Sequence, residues 1–414
     1  MKLAHCSDLH ITRGPRLDDQ RATLSAMVDS MIERRADIAL VVGDAYGREV
    51  PHLSHPDERN TLLDAVTRLG EHMPVVYVCG NHDDARDLAA LRFAQTAWSV
   101  HVVDTPTTLT IPTPAGLVVV HGLPYPTRRS LLTDGVARTL DESQVAAVEA
   151  LEGILAGWSG DIRRARKTGD RTPHVLAAHV AVGGATLAGG EVLAGHEIEV
   201  SRAALDGLPI DYGALGHLHL RQEAAKRCWY SGSPWRNDHS ELDPKGWHLV
   251  TIGDGGRLEA DAGYPNENVY GRGDYQLRTS SSVWRMPNHC RTFATIDYRY
   301  ATDREDGEPR WITRPTEEAI AACRGAEVRM RLVVPETMVG GCPWDVEVTR
   351  VQGLAHRVVV ERVIEPVLRV RAPGVATAYT PRQKLETYWT TLATKPTPAE
   401  REAALLCLDE VTHG

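Results

Sequence analysis

The sequence predicts a layered α/β domain in the N-terminal part of the chain, followed by a smaller α+β domain and two terminal helices. Short apolar runs alternate with helical patterns over residues 1–252, residues 253–289 are rich in Gly, Asp, Asn and Ser, and apolar runs then return. We therefore divide the chain into an α/β domain at 1–258, a loop-rich connector at 259–289, an α+β domain at 290–375 and terminal helices at 376–414.

Val-rich runs bounded by Gly, Asp or Pro indicate the strands of the first domain. They are predicted at residues 2–6, 38–42, 75–79, 100–103, 117–121, 175–178, 212–215 and 247–252. Apolar residues recur at helical spacing over residues 24–32, 58–71 and 142–155, which predicts three helices between these strands. This alternation is typical of a sheet with helices packed against it.

The second domain is predicted from a new set of apolar runs. Strands are expected at residues 292–298, 327–334, 344–351, 356–364 and 367–370, with helices near 316–323, 381–392 and 399–411. Tyr388 and Trp389 lie on the first terminal helix and are candidate anchors for a partner protein, because aromatic residues dominate interface hot spots. Packing onto the chain's own surface is an equal alternative.

The charge of the chain excludes binding to nucleic acid through overall positive charge. Its 46 Lys and Arg residues are outnumbered by 55 Asp and Glu residues, giving a net charge of −9. A DNA-binding function would therefore need a local basic surface, metal ions or a partner protein.

The cysteines and the apolar runs bear on the cellular compartment. The 7 cysteines are scattered without a CxxC pair, which argues against a disulfide framework or a zinc knuckle. The N-terminus has no signal-peptide pattern, and no apolar stretch reaches the roughly 20 residues that span a bilayer. We expect a cytoplasmic protein without a membrane partner.

Strongly polar residues come directly after five of the predicted strands. In chain order these segments are Asp8-Leu9-His10, Gly43-Asp44, Gly80-Asn81-His82-Asp83, His179 and Gly216-His217-Leu218-His219. Ligands of α/β sheets bind at the carboxyl ends of strands. A single DxH or HxH segment is weak evidence, but five such segments, each at a strand end, predict a functional site.

The residue types in these segments are those that bind metal ions. The candidate ligands are Asp8, His10, Asp44, Asn81, His179, His217 and His219. Mixed oxygen and imidazole donors favour Mn²⁺, Fe²⁺ or Zn²⁺ over Mg²⁺ or Ca²⁺. The two oxygens of Asp44 can bridge two cations, and in an extended DxH or HxH segment both outer side chains point the same way.

The five segments together resemble the calcineurin-like metallophosphoesterase superfamily and, within it, the SbcD-type nuclease subunits of SbcCD complexes. Residues 5–10 (HCSDLH), 211–219 (DYGALGHLH) and 230–234 (YSGSP) carry the closer resemblance, which is firm over residues 1–252 and looser beyond. It implies a layered β-sandwich flanked by helices. It also implies that the second domain is a capping domain and that the terminal helices dock an ATPase.

The resemblance implies a role for each site residue. One cation would be held by Asp8, His10, Asp44 and His219, and a second by Asp44, Asn81, His179 and His217, with Mn²⁺ as the expected metal. His82 is implied to stabilise the transition state or to protonate the leaving oxygen rather than to bind metal. We expect Asp83 to orient His82 by accepting its other ring N–H.

The activity and partners also follow from the resemblance. It implies 3′-to-5′ exonuclease activity on duplex DNA and endonuclease activity on single strands or hairpins, in DNA repair, recombination or replication. It implies a homodimer that binds two copies of an SbcC-like coiled-coil ATPase. The helix predicted at 58–71 is a candidate dimer surface, and internal packing is the alternative.

Four arginines are candidate DNA contacts. Arg48 lies in the loop after Asp44, and Arg163, Arg164 and Arg166 belong to the densest basic run of the chain. They would hold a DNA backbone by releasing its counterions. For each of them a solvated basic surface is the alternative.

The same loop departs from the family pattern. SbcD-like chains carry Asp or His three residues after the metal-binding Asp, where this chain has Gly47. His52 or His55 is a candidate replacement, and an ordinary surface histidine is the alternative for both.

Two other functions stay open at the level of sequence. A phosphatase or small-molecule phosphodiesterase would use the same fold, because a fold does not determine its substrate. The GDxxDRG and GNHE motifs of Ser/Thr phosphatases are not matched, since Asp83 stands at the Glu position. A non-catalytic scaffold is the second alternative, although His82 and all presumed metal ligands are present.

Overall fold

The structure is a computed structural model that describes residues 1–47, 54–132, 135–136, 138–187, 197–241, 243–253, 278–285, 292–303, 307–366, 380–391 and 395–413. The chain divides into two compact units, Met1–Phe293 and Ala294–Gly414, which we describe separately. This boundary lies close to the predicted start of the second domain at residue 290. The four-part division of the chain stays a prediction.

The first unit alternates strands and helices. Its strands are β1 (Lys2–Cys6), β2 (Ile38–Val42), β3 (Val75–Val78), β4 (Val100–Val103), β5 (Thr107–Thr113), β6 (Gly116–Leu123), β7 (His174–His179), β8 (Ala181–Val182), β9 (Glu199–Val200), β10 (Tyr212–Gly216), β11 (Gln222–Ala225), β12 (Cys228–Tyr230), β13 (Gly246–Gly253) and β14 (Arg278–Arg285). Its helices are α1 (Leu17–Glu33), α2 (Pro56–Gly70), α3 (Ala85–Leu88), α4 (Arg128–Leu131), α5 (Leu140–Lys167) and α6 (Arg202–Asp206), with a 3₁₀ turn at Ala89–Phe93.

The strands of this unit form two six-stranded sheets. The first has the order β14-β13-β1-β2-β3-β4 and the second the order β11-β12-β10-β7-β6-β5. Strands β1 to β4 run parallel in the first sheet, and β12, β10, β7 and β6 run parallel in the second. The carboxyl ends of the central strands of each sheet therefore lie along one edge.

A buried apolar layer joins the two sheets face to face. Leu40 and Val76 from the first sheet pack in one cluster with Val120, Val175 and Ala214 from the second. Alternate residues of β2 point the other way, so that Ala39 and Val41 belong to the cluster that includes α1 and α2. Helices α5 and α6 cover the outer face of the second sheet. This arrangement is the predicted β-sandwich flanked by helices.

Helix α2 begins at a capping box that includes His55. Its Nδ1 atom accepts a hydrogen bond from the Asp57 amide at 3.2 Å, and Glu58 Oε2 accepts one from the His55 amide at 2.6 Å. These reciprocal bonds satisfy amides that the first turn of a helix leaves unpaired. The structure therefore gives His55 a capping role, while Arg48 and His52 lie outside the described residues.

The predicted connector contains a strand. Strand β14 at Arg278–Arg285 pairs antiparallel with β13 over its whole length, from Gly246 opposite Arg285 to Gly253 opposite Arg278. The region was predicted as a loop-rich connector, and its segment Arg278–Arg285 forms this strand. Because β14 is rich in Ser and Thr, its sequence lacks the apolar pattern that would predict a strand. Pairing with the edge of the sheet satisfies its backbone groups.

The second unit contains a four-stranded sheet with helices. Its elements are β15 (Phe293–Thr302), β16 (Pro309–Thr313), α7 (Glu317–Ala322), β17 (Glu327–Pro335), α8 (Trp344–Gln352), β18 (Arg357–Glu365), α9 (Pro381–Thr391) and α10 (Pro398–His413), with a 3₁₀ turn at Glu336–Gly341. The sheet order is β16-β15-β17-β18, and β17 runs parallel to β18. Tyr298, Met330 and Val351 are buried in its core.

The strand predicted at 344–351 is wrong, because these residues form α8. Trp344, Val348 and Val351 pack on the core at helical spacing, whereas Val346 is 68% exposed. The alternation of Val residues in this sequence is typical of a strand, which explains the wrong prediction. In the structure these residues lie on a helix of which only one face is buried. The strand predicted at 367–370 lies outside the described residues.

The terminal helices contain the two aromatic residues considered as partner anchors. Trp389 on α9 is 8% exposed, and the guanidinium carbon of Arg401 on α10 lies 5.5 Å from the centre of its ring. Tyr388 is 43% exposed. Trp389 therefore packs within its own unit. Among the described residues, no helix combines the length and the apolar character needed to cross a membrane.

Candidate metal centre

The five polar segments converge at the edge where β1, β2, β3, β7 and β10 end. The backbone amide of His217 donates to both carboxylate oxygens of Asp8, at 3.1 and 3.3 Å, and thereby links the second sheet to the first. Within the first sheet, the amide of His10 donates to the carbonyl of Asp44 at 2.9 Å. Residues far apart in the sequence thus form one site.

One group of donor atoms surrounds His10. Its Nε2 atom lies 2.8 Å from His219 Nε2 and 3.7 Å from Asp44 Oδ2. Ligand atoms of Asp8, His10 and His219 lie within 4.8 Å of one another. These four residues are the set predicted for the first cation.

A second group lies on the other side of Asp44. His179 Nε2 is 3.3 Å from Asp44 Oδ2 and 3.0 Å from Asn81 Oδ1, and His217 Nδ1 is 3.1 Å from the same Asn81 oxygen. Ligand atoms of Asp44, His179 and His217 lie within 4.8 Å of one another. The structure thus brings all seven predicted ligands into two adjoining groups that share Asp44.

The donor chemistry of the two groups fits divalent cations. Each combines imidazole nitrogens with carboxylate or amide oxygens, as Mn²⁺, Fe²⁺ and Zn²⁺ sites do. The ring nitrogen of His179 that faces away from the site also has a partner, since Nδ1 lies 2.9 Å from the carbonyl oxygen of Val42. Such outer contacts fix the ring tautomer, so that the opposite nitrogen faces the site with a lone pair.

Two further carboxylates hold the other histidines, and neither was predicted from the sequence. His217 Nε2 lies 2.8 Å from Glu197 Oε2, and His219 Nδ1 lies 2.6 Å from Glu241 Oε1. Burial on its own raises the pKa of Glu241, but His219 and Lys245 lower that pKa to about 2. An isolated Glu carries no motif, so the sequence offers no signal that distinguishes these two from surface acids.

Several residues of the site have a strained backbone conformation. Asp8, His10, Asp44 and His217 have φ angles of 56°, 45°, 54° and 111°, in the left-handed region that non-glycine residues seldom adopt. Such residues cost on the order of 1–3 kcal/mol each and cluster at functional sites. Four of the seven candidate ligands therefore adopt a conformation that is unfavourable for folding.

The glycines before the ligands allow close packing. A Cβ atom added at Gly80 would lie 2.1 Å from Asp44 Oδ1, and one at Gly43 would lie 2.0 Å from His179 Nδ1. One at Gly216 would lie 1.9 Å from the carbonyl oxygen of Val42. The Gly-Asp, Gly-Asn and Gly-His pairs of the sequence thus reflect the lack of space for a side chain behind each ligand.

We expect Gly216→Ala to destabilise the protein by about 3 kcal/mol, the upper end of the usual cost of overpacking, because the new methyl group would overlap backbone atoms that cannot rotate away. Gly153 on α5 is the control, since a Cβ there meets nothing within 4 Å. Gly153→Ala should stabilise the helix by about 0.5–1 kcal/mol. Urea unfolding measures both changes, and a Gly216→Ala protein as stable as wild type would contradict the packing described for β10.

Asp83 has a structural role that was not predicted from the sequence. Its carboxylate accepts hydrogen bonds at 2.9 Å from the backbone amides of Asp44, Ala45 and Gly80, and at 2.7 Å from the hydroxyl of Tyr77. Both oxygens of the carboxylate are thus directed at these groups. Asp83 therefore holds the candidate metal-binding loops together, and its predicted role in orienting the His82 ring stays a prediction.

His82 lies beside the first group. Its ring centre is 5.0 Å from that of His10, and its amide donates to Asp44 Oδ1 at 2.9 Å. A ligand atom of His82 also lies within 4.8 Å of those of His10 and Asp44. The side chain is therefore close enough to act on a group bound at the site.

Proton affinity differs strongly between the histidines. Burial lowers the pKa of His10 to about 4 despite the opposing field of Asp44. Burial acts in the same direction on His179, but the charge and hydrogen bond of Asp44 raise its pKa to about 9. Without a cation, His179 therefore carries a proton at neutral pH, and a cation must displace that proton to bind.

Because a cation must displace the proton of His179, we expect Mn²⁺ affinity to rise with pH between about 6.5 and 9. The raised pKa of His179 has the opposite effect on the metal-free protein. Its stabilising contribution is fully present below the unfolded value of 6.5 and is lost as pH rises through about 9. Thermal unfolding in EDTA and in Mn²⁺ across this range measures both trends. A metal-free protein whose stability does not fall in this window would contradict the pairing of His179 with Asp44.

Three of the four predicted DNA contacts, Arg163, Arg164 and Arg166, lie on α5 at the other end of the second sheet. Arg166 is 8% exposed, and its guanidinium bonds Asp211 at 2.8 Å and the carbonyls of Asp170 and Thr172. Asp211 precedes β10, whereas the candidate ligand His217 follows it, and five strand residues span about 16 Å. Arg166 is therefore a structural residue, and its prediction as a DNA contact is wrong.

The neighbouring arginines are exposed but also engaged. Arg163 donates to the carbonyl of Gly207 at 3.2 Å, and Arg164 pairs with Asp161. Both lie near the end of α5, where positive charge stabilises the end of a helix. A DNA-binding role for these two side chains stays a prediction.

Comparison with known proteins agrees with this geometry. The family model for calcineurin-like phosphoesterases matches residues 1–221, a range that contains all seven candidate ligands. The chain is similar to the D subunit of the nuclease SbcCD from Bacillus subtilis (strain 168), with 27% identity over 264 residues, 58% of this chain and 63% of that protein. It is also similar to the DNA double-strand break repair protein Mre11 of Archaeoglobus fulgidus, with 27% identity over 113 residues, 25% of this chain and 24% of that protein. Each match spans less than two thirds of the relative's length.

Proposed function

The chain belongs to the calcineurin-like phosphoesterase family, and on that basis we propose that it is a two-metal nuclease acting on DNA, the nuclease subunit of an SbcCD-type complex. One observation carries the proposal: Asp44 Oδ2 lies between His10, which groups with Asp8 and His219, and His179, which groups with His217, and His82 lies beside His10 and Asp44. The similarity to the D subunit of the nuclease SbcCD and to Mre11 supports DNA as the substrate.

Each group of donors would hold one divalent cation, for which we propose Mn²⁺. The first is assigned to Asp8, His10, Asp44 and His219, and the second to Asp44, Asn81, His179 and His217. When bound, two such cations neutralise the phosphodiester and lower the pKa of a water molecule, so that hydrolysis proceeds near neutral pH. Because the carboxylate of Asp44 would belong to both groups, it would fix the distance between them.

The protein's own residues would supply the rest of the reaction. We assign to His82 the protonation of the departing sugar oxygen or the stabilisation of charge on the phosphate, because its ring adjoins that of His10. Asp83 would keep the loops of Asp44 and Gly80 at their observed separation through its bonds to their backbone amides. His82 is therefore the proposed catalytic residue, and Asp83 is a positioning residue.

The partners are part of the proposal. The net charge of −9 leaves the bulk of the surface unattractive to DNA, so binding would depend on the metal centre and on a partner. We propose an SbcC-like coiled-coil ATPase as that partner, docked on the segment that contains α9 and α10, with two copies of each chain. The second unit would act as the capping domain.

The direct test is digestion of end-labelled duplex DNA with Mn²⁺, compared with EDTA and with an Asp44→Asn variant. We expect Mn²⁺-dependent shortening from the 3′ end, and faster cleavage with the ATPase and ATP. An aryl phosphate and a bis-aryl phosphate are assayed in parallel. Efficient hydrolysis of either small substrate with no cleavage of DNA, alone or with the ATPase, would support a phosphatase or small-molecule phosphodiesterase instead.

A further inference from the structure

A buried ion pair lies behind one of the metal-site histidines. The Glu241 side chain is 2% exposed and that of Lys245 is 8% exposed, and Lys245 Nζ lies 2.8 Å from Glu241 Oε2. Desolvating two charges is costly unless further hydrogen bonds satisfy them. A pair buried at this position therefore calls for a functional explanation.

The two oxygens of Glu241 have different partners. Oε2 pairs with Lys245 Nζ and accepts hydrogen bonds from the hydroxyl of Ser233 at 3.2 Å and from the amide of Asn237 at 3.1 Å. Oε1 faces His219 Nδ1 at 2.6 Å. The contacts on Oε2 hold the carboxylate in place and leave Oε1 directed at the histidine.

Lys245 also contacts the histidine's own backbone. Its Nζ donates to the carbonyl of His219 at 3.1 Å and lies 3.1 Å from Asp243 Oδ1. The ring and the main chain of His219 are thus tied to the same ion pair. A carboxylate that accepts from Nδ1–H leaves the lone pair of Nε2 facing His10, 2.8 Å away.

We propose that Glu241 and Lys245 are positioning residues for metal binding: Glu241 sets the tautomer and direction of the His219 ring, and Lys245 holds Glu241 in place. This inference rests on the proposed function, because it concerns the cation assigned to Asp8, His10, Asp44 and His219. It gives the segment after β12 a role in the metal centre that its sequence does not reveal.

The partner of His217 provides an internal contrast. The Glu197 side chain is 36% exposed, and its Oε2 atom faces His217 Nε2 at 2.8 Å. Solvent therefore reaches this carboxylate, whereas Glu241 is enclosed and paired with a cation. We expect loss of the Glu241 carboxylate to weaken its metal site more than loss of the Glu197 carboxylate weakens the other.

The test measures Mn²⁺ binding by calorimetry, without DNA, in Glu241→Gln, Lys245→Met, the double variant and Glu197→Gln. Glu223→Gln, on the exposed face of β11, is the matched control. Loss of such an outer contact lowers metal affinity by about 10- to 100-fold. We expect this loss at one of two sites in Glu241→Gln, a smaller loss in Lys245→Met and Glu197→Gln, and none in the control.

Thermal unfolding in EDTA separates positioning from folding. Glu241→Gln leaves Lys245 buried without its charge partner, and the double variant removes both charges and should recover stability. If Glu241 positions His219, the double variant stays defective in Mn²⁺ binding although its stability recovers. Recovery of both properties, or wild-type binding in Glu241→Gln, would overturn the inference while the proposed function stands. A wild-type protein that binds no Mn²⁺ would overturn both.

Discussion

Replacing Asp44 with Asn is expected to lower the rate of DNA cleavage by at least about a thousandfold. Asp44 Oδ2 lies 3.3 Å from His179 Nε2 and 3.7 Å from His10 Nε2, so the same oxygen faces both groups of ligands. Charge stabilisation by metal ions is worth several kcal/mol, and each 1.4 kcal/mol changes a rate tenfold. Calorimetry should show weakened Mn²⁺ binding at both sites.

Asp18→Asn is the control for this variant. The Asp18 side chain is 94% exposed in the first turn of α1, where removal of its charge should change stability by less than about 1 kcal/mol. Near-normal cleavage by Asp44→Asn under saturating Mn²⁺ would show that the carboxylate does not join two metal sites. The two groups of ligands would then need separate explanations.

Replacing His82 with Ala is expected to lower kcat by about 100- to 10,000-fold, the usual contribution of a side chain that transfers a proton. Mn²⁺ stoichiometry and affinity should stay unchanged, because His82 is proposed to act on the substrate. The backbone amide that bonds Asp44 Oδ1 persists in the Ala variant, so the site itself is preserved. Single-turnover cleavage together with calorimetry measures both properties.

His72→Ala is the matched histidine control, since His72 is an exposed residue just after α2. It should cleave DNA at the wild-type rate. Because a ligand atom of His82 lies within 4.8 Å of those of His10 and Asp44, a metal-binding role is the competing explanation. A His82→Ala protein that loses a cation would support that explanation against the proton-transfer role.

Strands that are buried on both faces give the clearest signal in the sequence. Runs such as 38–42 and 75–78 are continuously apolar, since one face meets the other sheet and the other face meets helices. Strand β5 alternates buried and exposed residues in a Thr-rich sequence, and β11 and β12 contain only 4 and 3 residues. Their pairing depends on neighbouring strands, which a local pattern does not reveal.

The same contrast holds within the site. The predicted metal ligands follow strong strand signals, and their glycine neighbours mark tight backbone contacts, so convergence could be predicted. Glu197 and Glu241 reach the site from segments without a motif, and only the tertiary structure brings them to His217 and His219. The bonds of Asp83 to the amides of Asp44 and Ala45 could not be predicted, because only the tertiary structure brings these residues together.

The basic run shows the limit of charge patterns. A cluster of arginines predicted a DNA surface, but Arg166 is buried against Asp211 and stabilises the start of β10. Helix α5 extends to Lys167, beyond the predicted end at residue 155, so the run forms a helix terminus. The role of a like-charged stretch therefore depends on the secondary-structure element on which it lies.

Anomalous diffraction from crystals grown with Mn²⁺ tests the two-metal centre most directly. We expect two peaks, one among Asp8, His10 and His219 and the other among Asn81, His179 and His217, with Asp44 contacting both. A single peak at saturating Mn²⁺, or two peaks that do not share Asp44, would contradict the two-metal account.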